Sequence, residues 1–309
     1  YEYDKYYIHE RLSSFFGDEK ILGNYILKIF LILLFLLINV RFLNNTYKVI
    51  IFYLISIFSI VLIILSGERA ALGSFCVLII CLSFFIRWER KKRFFFLILF
   101  TCIIAFMFSK NIQFQERVKL TLDRTNGVLA ENGLRAFSPT HQSYILSSIK
   151  MFNQNKIFGI GPKNFRILCS DDLYKITYLE RLQYSNQTSK EQIDSGEVYS
   201  KYDKELLEET VSCSTHPHNT HIQLLAETGI FGYLLFLLLI FYLLKDLIFN
   251  FKNLSDSYRI FLFAFLIFLF PLIPSTNFFN NYNAVFLFLN FGFFLISNKH
   301  KYIYKHEIK

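Results

Sequence analysis

Seven stretches of the chain are almost wholly apolar, at roughly 22–40, 48–66, 69–86, 93–109, 222–244, 259–275 and 281–297. Each approaches the length of about 20 residues that a helix needs to span a bilayer core. None alternates apolar and polar residues at period two, as a barrel strand would. A backbone shielded from water must satisfy its own hydrogen bonds, so helices remain. The pattern predicts an all-α integral membrane protein, a bundle of about seven transmembrane helices with one long external loop that itself contains helices. The expected divisions are an external segment 1–21, helices one to four over 22–109, the loop domain 110–221, helices five to seven over 222–298, and a tail 299–309.

Composition agrees. Of 309 residues, 53% are hydrophobic, 19% aromatic and only 18% charged, with mean hydropathy +0.36. That excludes a disordered chain or a disulfide-stapled mini-protein, and it is more apolar surface than a soluble enzyme of this size can hide. The net charge of +9 lies between the apolar runs and forms no single basic face, which argues against nucleic acid. Basic clusters at Arg41 and Lys48, at Arg87, Arg90, Lys91, Lys92 and Arg93, at Lys245, Lys252 and Arg259, and at Lys299, Lys301, Lys305 and Lys309 fall on one side when seven helices are threaded alternately. That side is expected to be cytoplasmic. The loop 110–221 then lies outside. It is near neutral overall, but residues 110–166 carry nine basic against three acidic side chains, while 167–210 carry five against ten. A basic first half suits an anionic ligand; the plainer alternative is two halves that pair with each other. The start shows no signal-peptide pattern, and further helices are expected before Tyr1.

Polar groups at the membrane face are costly and therefore informative. Arg69, in SGERAALGSF, begins the third apolar segment among small residues and could fork onto a phosphate. The densest cluster is CSTHPHNTHIQLLAETG, Cys213 to Gly229, with His216, His218 and His221 where the loop re-enters the membrane. Asn219 or Thr220 can cap the helix that starts there, whose free N–H groups favour an anion. A neutral His218 beside a bound pyrophosphate could take the proton of an attacking hydroxyl. Gln223 and Glu227, one turn apart, could hold a sugar or orient the histidine. Cys213 with the three histidines contains zinc-ligand types, but the spacing matches no standard finger or HExxH pattern, and no metal or other cofactor is expected. Cys169 and Cys213 are the two cysteines of the loop; either they form a disulfide or they are two free thiols. FGIGPKNFR, Phe158 to Arg166, places Lys163 and Arg166 beside a glycine turn without meeting a P-loop pattern. Upstream, Ile145, Ile149 and Phe152 recur at helical spacing as a face expected to rest on the membrane or on the loop core, with His141 and Arg135 as candidates to enter the site.

Taken together, GERAA, a long loop, FGIGPKNF and HPHNTHIQLLAETGIFGYLLF resemble the O-antigen ligase and polymerase superfamily. RLSSFFGDEKILGNY also looks like the external segment that precedes a core helix there. The resemblance implies a bacterial inner-membrane, multi-pass glycosyltransferase with a periplasmic loop. Its donor would be an undecaprenyl-pyrophosphate-linked glycan and its acceptor a lipid A–core sugar or another glycan, at the surface of membrane lipid. It implies Arg69 as a phosphate ligand and His218 as the base, with His216 and Asn219 beside it and no metal. Arg135, Lys163 and Arg166 are the further phosphate candidates, and His141, His221, Gln223 and Glu227 the supporting ones. One departure stands out. The family often has an Arg four residues before a Trp in the helix preceding GIG, whereas this chain reads THQSYI, with His141 and no Trp. Either Arg135 supplies the second phosphate contact or none is made.

Overall fold

The computed structural model describes residues 7–8, 11–16, 21–40, 42–85, 90–112, 114–116, 118–119, 139–184, 190–196, 198–199, 202–250, 253–255, 258–260, 262, 265, 269–270 and 275–298. These are mostly helical. The exception is a two-residue antiparallel pair, β1 (Tyr7–Ile8) with β2 (Arg11–Leu12). Arg41, Arg87, Lys252, the tail lysines and most of the apolar stretch 259–275 lie outside the described residues. The chain divides into two compact units, one of residues 1–132, 246–268 and 286–309, the other of 133–245 and 269–285.

The first unit contains α1 (Leu22–Asn39), α2 (Asn45–Ser66), α3 (Arg69–Phe85) and α4 (Arg90–Lys110). Asn44 starts α2 by accepting the Tyr47 N–H at 3.0 Å, and the left-handed Gly67 ends it. Phenylalanines lock the helices together. Phe30 of α1 meets Phe75 of α3 edge-on at 4.9 Å, and Phe52 of α2 lies 5.2 Å from Phe96 of α4. Phe35 of α1 stacks at 4.0 Å on Phe293, in the helix Asn281–Asn298. Where there is no hydrophobic drive between apolar helices, this ring interlock and dispersion hold the bundle. Other large apolar side chains point outward, including Leu36, Phe58, Phe84 and Phe94, as lipid-facing helices require.

Among the described residues, four helices are long and apolar enough to cross a membrane: α1, α2, α4 from Lys91 to Lys110, and the long helix Thr220–Asn250. Helix α3 is apolar but has 17 residues.

The second unit holds α5 (Pro139–Gln154), the short α6 (Phe165–Leu168), α7 (Tyr178–Tyr184), α8 (Lys190–Asp194) and α9 (Lys204–Glu208), followed by α10 (Thr220–Asn250) as far as Lys245. Helix α11 (Asn281–Asn298) begins in its last segment. Met151, Phe165, Cys169, Tyr174 and Ala226 form its main buried cluster, and Leu182, Val198 and Leu207 a smaller one. The apolar stripe Ile145, Ile149 and Phe152 is not the packed face of α5. Ile149 is exposed, while Ser143, Ser147, Ser148 and Met151 are fully buried. Small hydroxyl side chains let the helix approach its neighbours closely, and Ser148 satisfies its own hydroxyl on the Tyr144 carbonyl at 2.9 Å.

Cys169 and Cys213 are joined as a disulfide, with Cα atoms 5.1 Å apart and 44 positions between them in sequence. Next to it, the Ser212 hydroxyl donates to the Cys169 carbonyl at 2.8 Å and accepts the Ile176 N–H at 2.9 Å. Thr177 and Thr210 add a bridge. The α7–α9 excursion is thus closed into a loop at its base. Closing a loop of this length removes chain entropy worth about 4 kcal/mol in the simplest treatment. An unfolded, unreduced sample is expected to accept three maleimide tags, on Cys76, Cys81 and Cys102, and five after reduction. Five tags before reduction would show that the pair is not bonded.

Candidate active site

A break in α10 sets the geometry of the second unit. At Gly229 the backbone leaves the helix, with φ 66° and ψ −171°. Carbonyls of the preceding turn lose their intrahelical partners, and orphaned buried groups are expensive. The FGIG strap supplies replacements. Ile160 N–H donates to the Ala226 carbonyl at 3.0 Å, and Gly161 N–H to the Glu227 carbonyl at 3.0 Å. In return Ile230 and Phe231 N–H donate to the carbonyls of Lys156 and Ile157, at 2.8 and 3.2 Å. Backbones this close leave no room for side chains. A Cβ on Gly159 would sit 2.5 Å from the Glu227 carbonyl carbon, and one on Gly229 would overlap the Ile157 carbonyl.

Glu227, fully buried, extends the same junction. Its carboxylate accepts the Phe165 N–H and the Gln223 amide, each at 3.1 Å. Gln223 also donates to Asn277 at 2.8 Å and accepts the Phe278 N–H at 3.0 Å. Both residues therefore tie α6 and the 275–279 segment to α10, a framing task. Asn219 caps α10, its side chain accepting the Ile222 N–H at 3.0 Å, and it is buried.

Three imidazoles gather at that capped start. The His218 ring centre lies 4.0 Å from that of His216 and 4.9 Å from that of His141 on α5, with Tyr144 at 5.6 Å. His216 is held at both ring nitrogens. Nε2 faces the Ser275 carbonyl at 3.0 Å and must donate, so Nδ1 accepts from the Thr215 hydroxyl at 2.9 Å. His218 has φ 56°, a left-handed conformation unusual for histidine, fixed by its own carbonyl accepting the Ser275 N–H at 2.9 Å. Its Nε2 lies 3.2 Å from the Ser214 hydroxyl, and its Nδ1 has no hydrogen-bond partner among the described residues. Burial, reinforced by the neighbouring imidazoles of His216 and His141, pushes the His218 pKa down to about 3. Burial lowers that of His216 as well. Both rings are therefore neutral at physiological pH.

His221 is also held at both nitrogens, by the Tyr233 hydroxyl at 3.1 Å and the Leu269 carbonyl at 2.7 Å, and anchors the chain at 269. Cys213 sits in the disulfide, so the set Cys213, His216, His218 and His221 is not assembled as metal ligands. Among the described residues no group of three or more His, Cys, Asp or Glu could hold a metal ion. Lys163 donates to the Asn281 side chain at 3.4 Å, and Arg166 is exposed on α6. Arg69 stands exposed as the first residue of α3, in the first unit. Arg135 lies outside the described residues.

Residues 54–237, more than half of the chain, match the family described as O-antigen ligase. The chain belongs to the O-antigen ligase family. No curated protein and no solved structure matches it. Membership, with the apolar helices, makes this a membrane protein of the O-antigen ligase and polymerase kind, with glycosyltransferase-type activity and lipid-linked glycan substrates. The matched span contains Arg69, His141, the FGIG strap and the whole HPHN cluster.

Several participants escaped the sequence reading. Ser214, Ser275 and Asn277 are small polar residues in loops, recognisable only once their partners are known. Ser275 and Asn277 do stand in a polar gap, STN, inside an apolar stretch, which was a usable signal. Lys28 is another. It is a lone cation inside the first apolar run and is buried, with 5% exposure.

Gly229→Ala is expected to destabilise the protein by about 1–3 kcal/mol from backbone strain alone, before any overlap with Ile157. Removing the Asn219 cap with Asn219→Ala should cost about 1 kcal/mol. Both read out as lowered unfolding temperature of the detergent-purified protein; an unchanged temperature for Gly229→Ala would show that the break is not required.

Proposed function

We propose that this chain is an O-antigen ligase-type glycosyltransferase that moves a glycan from an undecaprenyl-pyrophosphate donor to an acceptor hydroxyl, a lipid A–core sugar, with inversion and without a metal. The observation that carries the reading is the half-buried, neutral His218, with a ring nitrogen unengaged among the described residues, beside a capped helix start. The threading of basic loops supports seven crossings with the 110–221 loop on the periplasmic face of a bacterial inner membrane.

In this reaction the acceptor hydroxyl oxygen forms a bond to the donor's C1 as the bond from C1 to the phosphate oxygen breaks. The lipid pyrophosphate leaves with the electron pair, and His218 takes the hydroxyl proton. The free imidazole, with its pKa depressed, is a weak base. An incoming pyrophosphate changes that, because a neighbouring dianion stabilises the imidazolium and raises the pKa. His218 is thus armed by the donor itself. His216 and Asn219 hold the backbone that presents it. Arg69 is assigned to the donor's phosphates by its GERAA context and exposed helix start, with Arg135, Lys163 and Arg166 as further cations. His141 touches the imidazole cluster from α5. Activation is already present in the glycosyl pyrophosphate, so positioning and charge stabilisation suffice. A single displacement needs no carboxylate nucleophile.

The gene deleted in its host and restored as wild type or His218→Ala tests this on a glycolipid gel. Loss of long-chain lipopolysaccharide, with polymerised lipid-linked glycan accumulating in both the deletion and the His218→Ala strain, is the expected result. A ladder collapsed to one repeat unit would mean polymerase, and an unchanged ladder would remove O-antigen assembly altogether. Transfer by membranes should survive EDTA; loss restored specifically by zinc would overturn the metal-free mechanism. With the free-site imidazole neutral far below pH 6.5, kcat/KM should show no inflection near that value on acidification to pH 5. An inflection centred there would mean that the base is an unperturbed histidine.

A further inference from the structure

We propose that Lys28 and Glu68 are positioning residues for Arg69, forming a charged clamp that fixes the turn from which Arg69 projects. The inference rests on the assignment of Arg69 to the donor's phosphates and adds two residues that this assignment does not use.

Glu68 has two jobs in one turn. Its backbone carbonyl accepts the Leu72 N–H at 3.0 Å, so it stands at the N-cap position of α3, one residue before Arg69. Its carboxylate turns the other way and caps α1, accepting the Gly23 N–H at 2.5 Å and the Asn24 N–H at 3.3 Å. Side chains of adjacent helical residues diverge, so the Glu68 carboxylate and the Arg69 guanidinium leave the turn in different directions. The remaining bonds close the turn. Gly67 has φ 64°, its N–H donates to the Ile64 carbonyl at 3.0 Å, and the Glu68 N–H donates to the Ser66 hydroxyl at 3.3 Å. Gly23 is packed hard against this turn, since a Cβ there would lie 2.6 Å from the Ser66 hydroxyl oxygen and 3.1 Å from the Glu68 carboxylate.

Lys28 supplies the counter-charge. It follows Asn24 by one helical turn on the same face of α1, and helical side chains lean toward the N-terminus, which carries its ammonium toward the capped turn. The Glu68 carboxylate acts electrostatically on that ammonium, and the Phe286 ring lies 6.0 Å from it. A lysine buried to 5% exposure inside an apolar helix is a poor choice for stability alone, because an apolar residue of that length would avoid desolvating a charge. Its use is to balance the carboxylate with which Glu68 binds α1 to the start of α3. Arg69 then starts from a fixed backbone and loses little freedom when it closes on a phosphate.

Donor kinetics of the full protein in membranes, with undecaprenyl-pyrophosphate-linked oligosaccharide as probe, test the clamp. Lys28→Met, Glu68→Gln and Glu68→Asp are expected to raise the donor KM roughly tenfold with kcat changed less than about twofold, and Lys28→Arg to restore it. Lys28→Met is expected to lower stability by leaving the half-buried Glu68 carboxylate without its counter-charge. The double variant Lys28→Met/Glu68→Gln removes both charges and should recover thermal stability while keeping the high KM. Stability lost with donor KM unchanged would make the pair purely structural and overturn the proposal. Arg69→Ala separates the two claims. Normal donor KM in that variant would remove the phosphate role itself, whereas a raised KM there with unaffected clamp variants would remove only the clamp.

Discussion

A helix crossing an apolar medium has to keep every backbone group paired, and α10 fails to do so at Gly229. Much of the second unit follows from that failure. The strap at 156–161 exists where it does because the interrupted turn offers carbonyls and N–H groups with no other partner. Once the strap is docked, Glu227 can reach the start of α6, Gln223 can reach Asn277, and the 275–279 segment is held against the capped beginning of α10. That segment in turn holds His216 and the backbone of His218. A loss of regular helix is thereby converted into a rigid frame around an imidazole.

Charge is handled in two contrasting ways. Around His218, burial and the neighbouring imidazoles disfavour positive charge on the ring. In the first unit, the opposite arrangement gathers charge: the Glu68 carboxylate accepts two backbone N–H groups of α1, and the buried Lys28 lies on the same helix. On the proposed function, a pyrophosphate ester would suit the first arrangement, since its charge would raise the basicity of the imidazole. Donor binding and base activation would then be one event.

The apolar runs were legible because a period-free stretch of nearly 20 apolar residues has few alternatives to a buried helix. Segments 22–40, 48–66, 93–109 and 222–244 correspond to α1, α2, α4 and α10. The HPHN and FGIG motifs were visible as clusters of unusual residues, but not their mutual dependence, because the strap and the helix break lie about 70 positions apart in sequence and meet only through backbone hydrogen bonds. Side-chain identity carries no record of such bonds. The packed face of α5 was not visible in the sequence for a related reason. Periodicity weighs apolarity, and the packed positions there are serines chosen for size. Lys28 was passed over because one cation does not disturb the hydropathy of a long segment, yet for that reason it needed a structural partner.

The stereochemistry of the newly formed glycosidic bond tests the central claim most directly. NMR of the product made by the purified protein from a donor of defined anomeric configuration gives the answer in one spectrum. A single displacement driven by His218 predicts inversion at C1. Retention would require a covalent glycosyl intermediate and an enzyme nucleophile, and would contradict the mechanism set out for this site.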